Sequence, residues 1–265
     1  MKIAALQLPT LPLSNKKLKE YLKNASENGA KVVVLGEYVL NNFFKELVTM
    51  QKNMINIQST QKIEALETFS KEFDIEIVAP IVLINHDKIY KATAHFSPNG
   101  TTFKNQEFLI NYTHWDEESF FDNEPNHNIS VLHFSINGLN ICAINGFEIH
   151  FDPIWLDILK KQCDIVLIST ASTFGSNQRW TEILKTRAFV NSLYILRVNR
   201  IGNYQDDGSL WSFYGETYLI NPDGFVESTL ENDEKMLIVD IDIKELRDSH
   251  SSWKFREYLK KRRLI

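Results

Sequence analysis

Several things are scarce in this chain, and each scarcity excludes something. Cysteine occurs twice in 265 residues, as Cys142 and Cys163, both inside apolar runs. The pair therefore reads as two free, buried thiols of a reduced protein rather than as a disulfide framework. The start, MKIAALQLP, has neither the long apolar region nor the small-residue cleavage site of a secretory signal. A cytoplasmic location is the expectation. No apolar run approaches the roughly 20 residues that a membrane helix requires. Basic excess is also missing: 29 Lys and Arg face 34 Asp and Glu, for a formal charge of −5. Such a surface does not suit nucleic acid or anionic membrane, so small molecules and other proteins are the expected partners. The seven histidines show no His-x-x-x-His spacing and the cysteines no Cys-x-x-Cys. A metal site is therefore not expected. There is no glycine-rich phosphate loop, no Gly-x-Ser-x-Gly elbow, no repeat and no low-complexity tract.

What is present is a chain that is 43% apolar and 24% charged, enough to bury one large core. Residues 1–265 are read as a single domain with a C-terminal tail from about 245. Ile3 to Leu8 is a short apolar run. Ser14 then precedes Leu18, Tyr21, Leu22 and Ala25 at helical spacing, and Val32 to Leu35 follows as a strand. Ser59 is placed as the cap of a second helix bearing Ile63, Leu66, Phe69 and Phe73, with a strand over Ile75 to Ile84 behind it. Pro98-Asn99-Gly100 and Asn137-Gly138 mark hairpins, and a long polar and aromatic loop lies between them, roughly 105 to 128. The second half repeats the alternation. Helices are expected near 153 to 162 and 177 to 191, with strands at Ile165 to Ser169 and Leu193 to Val198. Further strands are expected before the turn Asn221-Pro222-Asp223-Gly224 and at Met236 to Ile241. Two β/α halves of similar layout predict an α/β fold of four layers, an α-β-β-α sandwich. The basic stretch Lys254 to Arg263 reads as a solvated tail or subunit contact.

Three segments carry chemistry. In the first, Glu37 closes the run Val32-Val33-Val34-Leu35 and is followed by Tyr38. An acid at the end of a buried strand is costly unless solvated or paired, so Glu37 reads as a pocket residue. The second is Phe103 to Phe121, with Leu109-Ile110-Asn111-Tyr112 and then Trp115-Asp116-Glu117. The third runs from Leu139 through Asn145-Gly146-Phe147-Glu148 and Phe151-Asp152-Pro153 to the strand ending at Thr170. In order and spacing these resemble the three active-site segments of the nitrilase superfamily, the carbon–nitrogen hydrolases. Asn177-Gln178-Arg179-Trp180, Val198-Asn199-Arg200-Ile201-Gly202 and Gly215-Glu216-Thr217 continue the resemblance over nearly the whole chain.

The resemblance implies the four-layer sandwich and hydrolysis of a small amide, N-carbamoyl amine or nitrile without organic cofactor or metal. It also implies a homodimer or larger homo-oligomer. In that family a glutamate base, a lysine and a cysteine nucleophile share the work. Carried onto this chain, the base is Glu37, the lysine position is Gln106 and the nucleophile position is Gly146. Glu117 matches a second pocket glutamate that positions substrate, and the same segments place Tyr112, Phe147, Glu148, Ser172 and Trp180 around the ligand. His114 and His150 border the pocket. Gly146 has no side chain, and losing a nucleophile costs on the order of a millionfold in rate. The first expectation is thus a member impaired in thiol chemistry and kept for small-molecule binding or assembly. The alternative is an active amide hydrolase using water activated by Glu37 and Glu117, with Gly146 leaving room for it. Another is a relocated pair, Lys104 and Cys142. Cys142 lies four residues earlier on an extended strand, a displacement of roughly 13 Å.

Overall fold

The computed structural model describes residues 1–206 and 208–265. The first half folds as β1 (Lys2–Gln7), α1 (Lys16–Glu27), β2 (Val32–Leu35), the short α2 (Phe44–Leu47), α3 (Lys52–Phe73), β3 (Glu76–Asn85), β4 (Lys88–Ser97) and β5 (Gly100–Asn105). A small ribbon, β6 (Asn111–Tyr112) and β7 (Trp115–Asp116), leads to the second half. There follow β8 (Leu132–Ile136), β9 (Leu139–Asn145), α4 (Asp152–Lys160), β10 (Ile165–Thr170), α5 (Asn177–Asn191) and β11 (Tyr194–Asn199). The chain closes with the ribbon β12 (Ile201–Asp206) and β13 (Ser209–Tyr214), then β14 (Tyr218–Ile220), β15 (Val226–Thr229), β16 (Lys235–Asp240), α6 (Ile243–Trp253) and α7 (Phe255–Lys261).

Two six-stranded sheets result, ordered β16-β1-β2-β3-β4-β5 and β15-β14-β11-β10-β9-β8. Their centres are parallel, β1 with β2 and β3 in one and β9 with β10 and β11 in the other. Strands buried on both faces read as unbroken apolar runs, as in Val32-Val33-Val34-Leu35 and Ile165-Val166-Leu167-Ile168. Their side chains alternate between layers. Ala4, Val33 and Ile77 pack on Leu18, Leu22 and Leu66 of α1 and α3. Ile3, Val32, Val34 and Val78 face Ile141, Ile165 and Leu196 of the other sheet. Val166, Ile168 and Ile195 pack on Ile154, Ile158, Leu184 and Ala188 of α4 and α5. Three apolar layers between two sheets and two helix pairs make the α-β-β-α sandwich.

Several expectations shift. The second helix begins at Lys52, so Ser59 is not its cap. It is buried inside α3 and accepts from Asn41 Nδ2 at 3.0 Å, while Asn41 Oδ1 accepts from Val82 N at 2.9 Å. This polar bridge fixes the loop after β2 against β3, where an apolar helix face alone would not specify its course. The basic C-terminal stretch forms α7, whose Arg256 is buried and donates to the carbonyls of Asn191 (2.8 Å) and Cys163 (2.6 Å). The two cysteines, expected as free thiols, are joined in a disulfide between β9 and the entry to β10. Val166 pairs with Cys142 across those strands, which brings the second cysteine within 6.1 Å between Cα atoms. That bond and its burial among Ile158, Val166 and Leu184 place Cys142 on the helix side of the sheet, away from Glu37. No relocated cysteine nucleophile stands there.

Candidate active site

The site forms where the two sheets nearly touch. Leu35 is the last residue of β2, and its carbonyl accepts from Ser169 Oγ of β10 at 2.6 Å. Glu37 N donates to Thr170 O at 3.2 Å, and Arg200 N donates to the same oxygen at 3.2 Å. Gly36 sits at this crossing. A Cβ there would lie 2.9 Å from Arg200 N and 3.2 Å from Thr170 O, both backbone, so only glycine permits the approach. Beyond it the chain turns sharply, with Tyr38 in the left-handed region at φ 56°. A bulky residue is held there only by surrounding constraints. Here the constraints are Thr10 Oγ1 and Arg200 Nη1 on its carbonyl, at 2.8 and 3.2 Å.

The turn delivers Glu37 to the floor of a cavity of about 640 Å3, a size typical of small-molecule sites. Gly146, Tyr112, Phe147, Ser172 and Trp180 also line it, as do His114 and His150. Glu117 and Gln106 stand behind this wall. Glu117 is fully buried, and Tyr38 donates its hydroxyl to Glu117 Oε1. Gln106 Nε2 donates to Phe108 O at 2.6 Å, while its Oε1 has no hydrogen-bond partner. Glu148 does not face the cavity. Its two oxygens accept from Glu107 N at 2.8 Å and Asn145 N at 2.9 Å, tying the loop after β5 to the end of β9. Burial pushes its pKa up to about 7, against the pull of those two donors.

Lys91, on β4, is the residue that sequence reading overlooked. Its Nζ lies 2.8 Å from Glu117 Oε1 and 3.1 Å from Glu37 Oε1, with all three side chains essentially inaccessible. The ammonium also sits 4.9 Å from the Tyr38 ring centroid. Burial opposes its charge, but Glu117 and Glu37 outweigh that cost and hold its pKa above the usual lysine value. Burial raises the pKa of Glu37; Lys91 counters this and repulsion from Glu117 adds to it. Lys104 does not reach the group: its Nζ pairs with Glu107 at 2.7 Å. A cation within Ile89-Tyr90-Lys91-Ala92-Thr93-Ala94, on a strand otherwise largely buried, was the available signal. Its reach follows from the pairing of β4 with β5, where Gln106 N donates to Lys91 O at 2.9 Å. Asn123 clamps both strands, accepting from Lys91 N (2.9 Å) and donating to the carbonyls of Lys91 (2.8 Å) and Gln106 (2.9 Å).

Gly146 follows the last residue of β9. A Cβ at this position would lie 2.9 Å from Thr170 Cγ2 and 3.0 Å from the Trp180 ring. Thr170 is fixed by donating to Asn199 Oδ1 at 2.8 Å. A side chain at this position would therefore crowd Thr170 and Trp180, while the cavity that Gly146 lines leaves room for water beside it.

The profile of the carbon–nitrogen hydrolases matches residues 2–250 of this chain. The chain belongs to the carbon–nitrogen hydrolase family. Among relatives, it is similar to omega-amidase NIT2 of Danio rerio, 26% identical over 240 residues, covering 86% of this chain and 82% of that protein. It is also similar to a hydrolase of the agr operon of Staphylococcus lugdunensis, 23% identical over 80% of this chain and 87% of the relative. Of solved structures, a carbon–nitrogen hydrolase of Helicobacter pylori superposes with a TM-score of 0.82 at 15% identity, covering 97% of this chain and 94% of that one. The NitN amidase of Neterenkonia superposes at 0.77 with 17% identity, over 98% and 100% of the two chains. At these identities the structural likeness speaks for the nitrilase-like fold. Among the described residues no group of three His, Cys, Asp or Glu side chains is placed to hold a metal, and no helix is long and apolar enough to cross a membrane.

Proposed function

We propose that this carbon–nitrogen hydrolase family member binds a small amide, carbamoyl amine or carboxylate in the Glu37 cavity and has lost thiol-based hydrolysis. One observation carries the reading. The residue at the position that the resemblance assigns to the nucleophile is Gly146, and a Cβ there would meet Thr170 at 2.9 Å and the Trp180 ring at 3.0 Å. A covalent acyl intermediate needs an attacking atom, and none is available at that point. In support, Lys91 is engaged by two carboxylates rather than poised alone, and Cys142 is bonded to Cys163 on the other face of the sheet.

A second reading, an amide hydrolase that uses water, is favoured by Lys91 itself. An ammonium between Glu37 and Glu117 retains a positive charge near the place where an oxyanion would form, although Gln106 stands at the family's lysine position. One experiment separates the two. Purified protein is incubated with a panel of amides, carbamoyl amines and carboxylates while binding and ammonia release are recorded together. Binding without ammonia supports the non-hydrolytic reading. Ammonia release abolished by Glu37→Gln and untouched by Cys142→Ser overturns it in favour of the water mechanism. We further propose a homo-oligomer, checked by light scattering on the same preparation; a monomeric mass would reject it.

A further inference from the structure

The mouth of the cavity is a nearly continuous collar of rings. Going round it, Trp180, His150, Phe147, Tyr112, His114 and Phe174 stand with successive centroids 5.7 to 6.1 Å apart. Each is far enough from the next to leave its face or edge available to a guest, and several are well exposed. Phe174 and Tyr112 are 53% and 49% exposed, an unusual exposure for large rings converging on one cavity. Such rings offer stacking to a flat ring and a negative face to a cation.

The floor has a different character. Glu37 is the one acid lining the cavity among the described residues, and Arg179, exposed at the rim, is the one lysine or arginine. Behind the wall, two carboxylates, Glu37 and Glu117, share the single ammonium of Lys91. Two further cations are buried nearby, Arg197, whose guanidinium lies 5.2 Å from the Trp180 ring centroid, and Arg200. Arg200 donates to Tyr38 O, covers the Phe213 ring at 4.2 Å, and feels Glu46 more strongly than Glu37. Lys91 is thus the one cation in direct contact with the two acids among the described residues. One polar oxygen at the floor also lacks a hydrogen-bond partner, the buried Ser172 Oγ. A buried acceptor without a donor is costly, and a ligand that brings N–H groups removes that cost.

Taking the cavity as a ligand site, as proposed above, we infer that it is built for a flat aromatic cation: an aryl amidine or aryl amine whose N–H groups point to Glu37 and Ser172 while its ring lies within the collar. An aryl carboxylate presents the wrong charge to the floor. A saturated ring presents the wrong face to the collar.

The test is calorimetry on the intact protein with benzamidine, benzamide, benzoate and cyclohexanecarboxamidine, with ammonia release from benzamide recorded in parallel. Benzamidine should bind at least about tenfold more tightly than benzoate or the cyclohexane analogue, the scale of one charge-assisted contact or one ring contact. Glu37→Gln should weaken benzamidine about tenfold or more and change benzamide far less, because only the charged ligand loses an ion pair. Phe147→Leu should erase most of the difference between the aromatic and the saturated amidine. If Glu37→Gln does not fold, the ranking of the four compounds on the natural chain decides. Benzoate equal to or tighter than benzamidine, equal binding of the saturated amidine, or binding of none of the four overturns the inference. Ammonia from benzamide would overturn the non-hydrolytic reading alone and leave this ligand class in place.

Discussion

Replacing Lys91 by methionine, which keeps the length and removes the charge, isolates the buried trio. Lys91, Glu37 and Glu117 expose 3%, 6% and 0% of their side chains. Taking away the ammonium leaves two carboxylates against each other with little water to screen them. Breaking a buried ion pair by deleting one partner costs about 3–5 kcal/mol. For a chain of this size each kcal/mol moves the melting temperature by roughly 2–4 °C, so a fall of roughly 6–20 °C is expected. The loss should depend on pH, with a definite sign. The pKa of Glu37 is already raised from its ordinary value of 4.5 by burial, and Lys91 is what restrains it. Without Lys91 the folded-state value rises further while the unfolded one stays put. The unfolded state then binds fewer protons than the folded state above pH 4.5, and stability falls as pH rises through that window. Lys91→Met should therefore be closest to the natural chain near pH 5 and farthest from it near pH 8. Lys91→Met with Glu117→Gln should recover part of the loss, since contacting residues commonly couple by about 0.5–3 kcal/mol. Urea unfolding monitored by tryptophan fluorescence across pH 5 to 8 measures all of this. A deficit below about 1 kcal/mol, or one that does not change with pH, would refute the account of Lys91 as the charge that holds the two acids together.

Three more outcomes follow from the same geometry. Glu148→Gln loses one of two backbone acceptors and should destabilise by about 1–3 kcal/mol. The natural Glu148, with its pKa pushed up to about 7, costs the fold stability as pH rises from 4.5 through 7. The deficit of Glu148→Gln should therefore shrink from pH 5 to pH 8, and a constant deficit by chemical denaturation would count against it. Gly146→Cys should not create a hydrolase. It should destabilise by about 1–3 kcal/mol, because its Cβ must displace Thr170 or Trp180. Ammonia release by this single variant, at unchanged melting temperature, would show that the slot is open. Gly36→Ala places a methyl 2.9 Å from the backbone N of Arg200. It should perturb the junction of the two sheets and cost at least about 1–3 kcal/mol in thermal unfolding.

Much of the architecture is written in local pattern. The Val32 to Leu35 run, the helix over 177 to 191 and the Asn137-Gly138 turn, with both residues at positive φ, depend on neighbours a few positions away. Each appears where the sequence places it. The same holds for the alternation of β and α in both halves, which requires helices outside and sheets within. The start of α3 escapes because Ile55 is the one buried apolar residue among its first seven, and Ser59, a good cap in isolation, is spent on Asn41 instead. The positions of Glu37 and Gly146 along the chain are likewise visible in the sequence, as strand ends with a recognisable order of neighbours.

Only the tertiary structure decides what those positions can do. Lys91 belongs to the site because β4 lies next to β5 and points one side chain inward, a consequence of strand pairing and register that no local window contains. Lys104, nearer to Gln106 in sequence, pairs instead with Glu107. The crowding that a side chain would meet at Gly146 depends on Thr170, at the end of the neighbouring strand, and on Trp180, a helix turn into α5; both are distant in sequence and meet at one point in space. The bond between Cys142 and Cys163 follows from the same parallel pairing of β9 with β10. Periodicity in sequence reports which face of an element is buried. Which charges, rings and sulfurs share that burial is settled by how the two sheets close on each other.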